Sequence, residues 1–205
     1  MNEKRLIIIA RTLSLLFTPF YLPLVGMLAL FIFTYLSILP WQYKLQVVAL
    51  TYLFTILLPT MSIHIYHRYN GWSLWHLRER EKRMVPYFIS IGSYLACYML
   101  MKWMHLPHFM ATIVIAALFV QIVCVMINLR LKVSTHMAAI GGLTGGVVAF
   151  SFILGFNPVW WLSVLILLGG LVGTSRMIMR VHTLSEIVAG YIIGVITTFV
   201  VALVI

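Results

Sequence analysis

The chain has 205 residues, of which 63% are hydrophobic and only 9% are charged, and its mean hydropathy is +1.07. A soluble domain of this length cannot bury so much apolar surface, so the composition predicts a polytopic membrane protein. The formal net charge of +10 favours contact with anionic head groups or with an anionic substrate. So little polar surface argues against nucleic-acid binding.

The N-terminal segment, 1–17, mixes basic residues with leucine and isoleucine. This pattern is typical of an amphipathic helix that lies in the membrane interface. The segment has no small-residue cleavage site, so we do not expect a signal peptide.

Residues 18–205 form a single predicted transmembrane domain of apolar stretches, each near the ~20 residues that a helix needs to cross a bilayer. Backbone groups in hydrocarbon must be hydrogen-bonded within their own element, and apolar runs of this length favour helices over a barrel. We predict an all-α polytopic transmembrane helical bundle with six to seven spans. The predicted spans are 18–39, 45–66, 86–104, 108–129, 134–155, 157–175 and 183–205.

Three polar stretches interrupt the apolar runs, at 67–85, 130–136 and 175–186. An even number of predicted crossings separates each from the next, so all three lie on one side of the membrane and can converge. The excess of lysine and arginine on that side favours the cytoplasm. However, lysines and arginines that bind a substrate do not indicate which side of the membrane faces the cytoplasm.

Glycines spaced four apart follow the second stretch and flank the third. Such spacing puts small residues on one helix face and lets backbones approach closely. We therefore expect the helices that carry these two stretches to pack together.

The third stretch reads Ser-Arg-x5-His-x3-Glu, formed by Ser175, Arg176, His182 and Glu186. A histidine and a carboxylate four apart can touch on one helix face. The carboxylate then fixes the tautomer and leaves the other ring nitrogen free to attack phosphorus. Arg176 suits the oxygens of a phosphate, and Ser175 adds a hydroxyl donor.

The second stretch places Ser134, Thr135 and His136 at a predicted helix start. A hydroxyl and free amides suit a phosphate oxygen there. A protonated His136 can give a proton to a leaving alkoxide. Lys132 either assists or extends to the head groups.

The first stretch centres on 76–86 and has more charge than a phosphate site needs. A solvated juxtamembrane turn explains most of that charge. Arg80 and Arg83 are three apart, share a helix face, and are its best candidates for reaching a substrate.

A metal site is the alternative for His136 and His182. With one carboxylate nearby and no suitable thiol, only three ligands are available, and the arginine repels a cation. We therefore expect neither a metal nor another cofactor. Cys97 and Cys124 lie in apolar runs and read as packed side chains.

In the order and spacing of these residues the chain resembles the integral-membrane type 2 phosphatidic acid phosphatases, a family related to the vanadium haloperoxidases. The family signatures are Lys-x6-Arg-Pro, Pro-Ser-Gly-His and Ser-Arg-x5-His-x3-Asp. The third is matched with Glu186 in place of aspartate, and the second at Ser134 and His136. The first is matched poorly, since Arg83 precedes Pro86 by three residues rather than one. The resemblance covers about residues 76–205.

The resemblance implies a metal-independent lipid phosphatase in which His182 is the nucleophile and Glu186 orients it. His136 protonates the leaving group and then activates the hydrolytic water. The implied phosphate ligands are Arg176, Arg83, Arg80, Ser134 and the amide of Thr135. Family members usually place this site on the external or periplasmic face, which implies a bacterial inner-membrane protein with a periplasmic site.

Two other functions use the same residues. A lipid phosphotransferase passes the phosphoryl group from the same phosphohistidine to an alcohol instead of water. A non-catalytic transporter or scaffold binds anionic lipids through the basic residues and needs no particular spacing between His182 and Glu186. In each case the partners are the bilayer and a membrane lipid phosphate.

Overall fold

A computed structural model describes residues 3–69 and 80–205, without the side chains of 3, 4, 35, 67 and 80–84. The described residues are helical almost throughout and contain no strand. The predicted all-α fold class is confirmed. Most of the first polar stretch, including 76–79 of the first motif, lies outside the described residues.

Five of the described helices begin after a proline or hydroxyl residue, namely Pro40, Pro107, Ser134, Pro158 and Thr183. The bounds of the helices are Glu3–Leu16 (α1), Leu22–Phe33 (α2), Trp41–Tyr52 (α3), Leu58–Tyr69 (α4), Arg80–Trp103 (α5), His108–Asn128 (α6), Thr135–Leu154 (α7), Val159–Ile178 (α8) and Leu184–Val204 (α9). A π-helical turn, Leu53–Leu57, joins α3 and α4 into one continuous helix.

Five of the described helices are long and apolar enough to span a membrane, which makes the chain an integral membrane protein. They are Trp41–Tyr66, His108–Asn128, Thr135–Leu154, Val159–Ile178 and Leu184–Val204. Two predicted spans are not among them. Helix α5 is 24 residues long, but its first five side chains lie outside the described residues, and α2 has only 12 residues.

Helices α7 and α9 run parallel and pack face to face through their glycines. A Cβ atom built on Gly194 would lie 1.9 Å from the carbonyl oxygen of Ala138, and one on Gly141 would lie 2.1 Å from that of Tyr191. No larger side chain fits at these distances, so glycine sets the separation of the two helices. The expected packing of the helices that carry the second and third motifs is confirmed.

Because α7 and α9 are parallel, both N-termini open at the same end of the bundle. There the amide of Ser134 donates to the main-chain oxygen of Glu186 at 3.2 Å. Asn128, at the end of α6, accepts from the Val133 amide at 2.9 Å and donates to the Tyr87 hydroxyl at 3.3 Å. The start of α5 therefore reaches the same end, as the count of crossings predicted.

The N-terminal helix α1 packs against α8, and α2 then runs between α3, α6 and α7. At the far end of α2, the Phe33 ring lies 3.9 Å from the Trp161 ring, centroid to centroid. Helix α1 matches the predicted bounds of an N-terminal helix, while its place in the membrane interface stays a prediction.

Candidate active site

His182 and Glu186 are in direct contact at the start of α9. The Nδ1 atom of His182 lies 2.7 Å from Oε2 of Glu186. The spacing suggested that His182 lies on the same helix as Glu186. It lies instead two residues before the first residue of α9, Leu184. Since a carboxylate accepts hydrogen bonds, this contact places the proton on Nδ1 and leaves Nε2 with its lone pair.

Glu186 is held in place by a capping box. The Thr183 hydroxyl accepts from the amide of Glu186, and Oε2 of Glu186 accepts from the amide of Thr183, both at 3.4 Å. This is a standard way to satisfy the free amides of a helix start. The same carboxylate oxygen therefore caps the N-terminus of α9 and orients the imidazole of His182.

The surroundings of His182 keep its imidazole neutral. Its side chain is only 7% exposed, and this burial lowers the pKa of His182 below its ordinary value. The positive charges of Arg176 and Lys132 lower the pKa further, while Glu186 acts in the opposite direction. A neutral imidazole with a fixed tautomer is the form that can act as a nucleophile.

Lys132 connects the second and third motifs. Its Nζ atom donates to the main-chain oxygen of Val181 and lies 4.0 Å from Oε2 of Glu186. The ammonium group of Lys132 therefore points toward Glu186 and Val181. The sequence alone had left open whether it assists at the site or extends to the head groups.

The second motif forms the start of α7, with Ser134 at the N-cap position. Ser134 is fully buried, and within the described residues its hydroxyl has no hydrogen-bond partner. Nδ1 of His136 is also buried, and the described part of the chain gives it no partner. Buried polar atoms are rarely left unpaired. His136 lines the cavity described below, whereas Ser134 is not among the residues that line it.

Arg176 lies in the last turn of α8 and faces the two histidines. Its Nη1 atom donates to the hydroxyl of Ser14 at 2.8 Å, and its Nε is buried without a partner among the described residues. Ser175 behaves differently: its hydroxyl donates to the carbonyl of Leu171 within α8, at 2.8 Å. The structure brings Arg176 to the site and leaves the Ser175 hydroxyl engaged elsewhere.

Arg80 and Arg83 lie in the first turn of α5, and their side chains lie outside the described residues. The next turn of the helix reaches the site, because Pro86 and Tyr87 line the same cavity as the two histidines. The described part of the first motif, 80–86, thus lies at the same end of the bundle as the two histidines.

A cavity of about 810 Å³ connects the polar residues to the interior of the bundle. His136, Arg176 and His182 lie at one end, and Phe33 and Trp161 line the other. Between these ends the walls are mostly apolar and come from α2, α6, α7 and α8. From His136 to Phe150 along α7 the cavity extends over roughly 21 Å, at 1.5 Å per residue.

Within residues 3–69 and 80–205, no group of three or more histidine, cysteine, aspartate or glutamate side chains could hold a metal ion. Comparisons of the chain with protein families, with curated proteins and with solved structures find no match.

Sequence reasoning missed Ser14, which contacts Arg176 from 162 positions away in the chain. A serine in an apolar helix carries no local signal of such a contact. A residue of this kind is found only when the helices have been placed.

Proposed function

We propose that the protein is a membrane-embedded lipid phosphatase that hydrolyses a phosphate monoester or diphosphate through a phosphohistidine. The observation that carries the proposal is the oriented, neutral His182 beside Arg176 and His136, at the polar end of an apolar cavity. The resemblance to type 2 phosphatidic acid phosphatases supplies the assignment of the two histidines and is part of this proposal.

In the first step, Nε2 of His182 attacks phosphorus, and the bond between phosphorus and the lipid oxygen breaks. Protonated His136 gives its proton to the leaving alkoxide. Glu186 stabilises the positive charge that develops on His182, as a carboxylate does for an imidazole in hydrolytic triads.

In the second step, His136 is neutral and takes a proton from water. The water oxygen attacks phosphorus, the bond to Nε2 breaks, and inorganic phosphate leaves. Throughout, Arg176, the start of α7 at Ser134 and Thr135, and the arginines Arg80 and Arg83 bind the phosphate oxygens.

The cavity favours a lipid over a soluble substrate. Its polar end has the charge to hold a phosphate, and its apolar walls lead into the bundle for roughly 21 Å, which suits a hydrocarbon chain. Candidate substrates are phosphatidate, phosphatidylglycerophosphate, undecaprenyl diphosphate, the lipid A phosphate and a phosphorylated inositol lipid. We place the protein in a bacterial inner membrane, with the site facing the periplasm.

The test is phosphate release by the purified protein from a panel of these lipids. We expect turnover of at least one of them, and we expect His182→Ala to reduce it by about 10³-fold or more. His64→Ala is the control, since His64 is exposed on α4 and does not line the cavity. Lack of release from every lipid, or full turnover by His182→Ala, would contradict the proposal.

Transfer to an alcohol is distinguished by its products. An acceptor such as glycerol, added during turnover, yields a new phosphate ester only if it reaches the phosphohistidine in place of water. We expect inorganic phosphate as the main product, and an ester as the main product would favour the phosphotransferase.

A further inference from the structure

Ser14 is buried at the candidate active site, although it belongs to the N-terminal helix. The residue is only 7% exposed, whereas the next two residues, Leu15 and Leu16, are more than 60% exposed. The Ser14 oxygen accepts a hydrogen bond from Nη1 of Arg176 at 2.8 Å. The main chain at Ser14 also faces the His136 ring. Helix α1 therefore contacts Arg176, a residue that lines the polar end of the cavity.

The Ser14 hydroxyl differs from its neighbours in how it is paired. Thr12 and Thr18 donate to the carbonyls of Ile8 and Leu15 within their own segment. A hydroxyl carries one donor and two acceptor positions. Ser14 uses an acceptor position for Arg176, and no acceptor among the described residues takes its proton.

Arg176 itself lines the polar end of the cavity together with His136 and His182. Its buried Nε has no partner within the described residues. Ser14 and Arg176 therefore offer a hydroxyl and a guanidinium N–H whose protons no acceptor in the described part of the chain takes. Donors of this kind are complementary to the oxygens of a tetrahedral anion.

We propose that Ser14 is a further phosphate-binding residue, which holds the Arg176 guanidinium through its oxygen and donates its own proton to a phosphate oxygen. The proposal rests on the lipid phosphatase function for its substrate, but the anion site it describes can be tested without turnover. It gives α1 a direct part in binding, beyond its predicted place in the membrane interface.

The test is equilibrium binding of orthovanadate and inorganic phosphate to the full-length protein in detergent, by calorimetry. We expect Ser14→Ala to weaken binding about 10-fold, the usual effect of losing one hydrogen bond to a charged group. Ser14→Thr keeps the hydroxyl and should restore affinity. Ser14→Asp places a carboxylate against Arg176 and should abolish binding. Thr12→Ala is the matched control on the same helix and should bind as the wild type does.

Steady-state kinetics distinguish a loss of phosphate binding in Ser14→Ala from a loss of folding. We expect Ser14→Ala to raise KM for the lipid more than it lowers kcat, whereas a loosely folded protein would lose kcat and thermal stability together. Wild-type anion affinity in Ser14→Ala, or equal losses in Ser14→Thr and Ser14→Ala, would overturn the proposal. Anion binding that depends on Ser14 without hydrolysis of any lipid would support it and contradict the phosphatase instead.

Discussion

Glu186 performs two tasks with one carboxylate oxygen. It caps α9 through the amide of Thr183 and orients His182 through Nδ1. A capping box accepts either glutamate or glutamine, because both have an oxygen in the same place. Only the carboxylate, however, stabilises a positive charge on the imidazole. The two tasks can therefore be separated by substitution.

We predict that Glu186→Gln keeps the helix start and loses activity. Thermal stability should stay close to the wild type, while kcat should fall by about 10²-fold. Glu186→Ala should lose both, with about 0.5–2 kcal/mol of stability from the missing cap. Thermal unfolding and phosphate release, measured on the same preparations, check this. Equal activity of Glu186→Gln and the wild type would mean that the carboxylate only caps the helix.

The second prediction concerns pH and His182. Its pKa in the folded protein is lowered, chiefly by burial, so the unfolded chain binds a proton at about pH 6.5 while the folded protein does not. The protein therefore loses no stability through His182 above about pH 6.5. Below that pH, the difference between the two pKa values lowers the free energy of unfolding as the pH falls toward the folded pKa. Arg176 and Lys132 oppose protonation of the ring, and Glu186 favours it.

Replacement of His182 by asparagine removes this titration. We expect the melting temperature of the wild type to rise between pH 5 and pH 7.5, and that of His182→Asn to rise less. Calorimetry or a thermal-shift assay in buffered detergent checks both slopes. Identical slopes would mean that His182 titrates alike in the folded and unfolded protein.

At the scale of helices, the approach of α7 to α9 holds the second and third motifs together. A side chain at Gly194 would meet the main-chain oxygen of Ala138, which cannot turn aside as a flexible side chain can. The separation of the helices thus decides whether the start of α7 reaches Glu186.

We predict that Gly194→Ala destabilises the protein by about 1–3 kcal/mol and also lowers activity, because it forces the two helices apart. Gly170→Ala is the matched control, since a Cβ atom there meets nothing within 4 Å. Unfolding in detergent and phosphate release would measure both effects. A Gly194→Ala variant as stable and active as Gly170→Ala would show that the helices adjust without moving the motifs.

The helices that carry the second and third motifs could be predicted from the sequence to within three residues. The predicted spans 134–155, 157–175 and 183–205 compare with Thr135–Leu154, Val159–Ile178 and Leu184–Val204. Long apolar runs with polar residues or an Asn-Pro turn at their ends leave little freedom in where such helices start. The His182 and Glu186 contact was also predictable, because it is local in sequence.

Contacts between distant segments were not predictable. The stretch predicted as the span 18–39 is not one continuous helix: α2 ends at Phe33, and a 3₁₀ turn follows it at Tyr35–Ile38. Apolar composition alone does not reveal such a break. The contact of Ser14 with Arg176 depends on how α1 packs on α8, which no local pattern encodes.

At the scale of the whole molecule, the cavity joins a charged end to a long apolar interior. Since both regions belong to one continuous space, the proposed function requires the phosphate and the hydrocarbon chain of one lipid to bind together. Substrates that lack the chain use only the charged end. The two regions can therefore be perturbed independently.

We predict that Ala29→Phe, which fills the apolar part of the cavity from α2, raises KM for a long-chain lipid phosphate by about 10-fold, because burial of several CH₂ groups is lost. Hydrolysis of p-nitrophenyl phosphate should stay within about twofold of the wild type, since this substrate buries no long hydrocarbon chain. Ala96→Phe is the control, because Ala96 is exposed on α5 and does not line the cavity. Steady-state kinetics with both substrates check the difference. If Ala29→Phe slows both substrates equally, the substitution disturbs the fold; if it slows neither, the lipid chain lies outside this cavity.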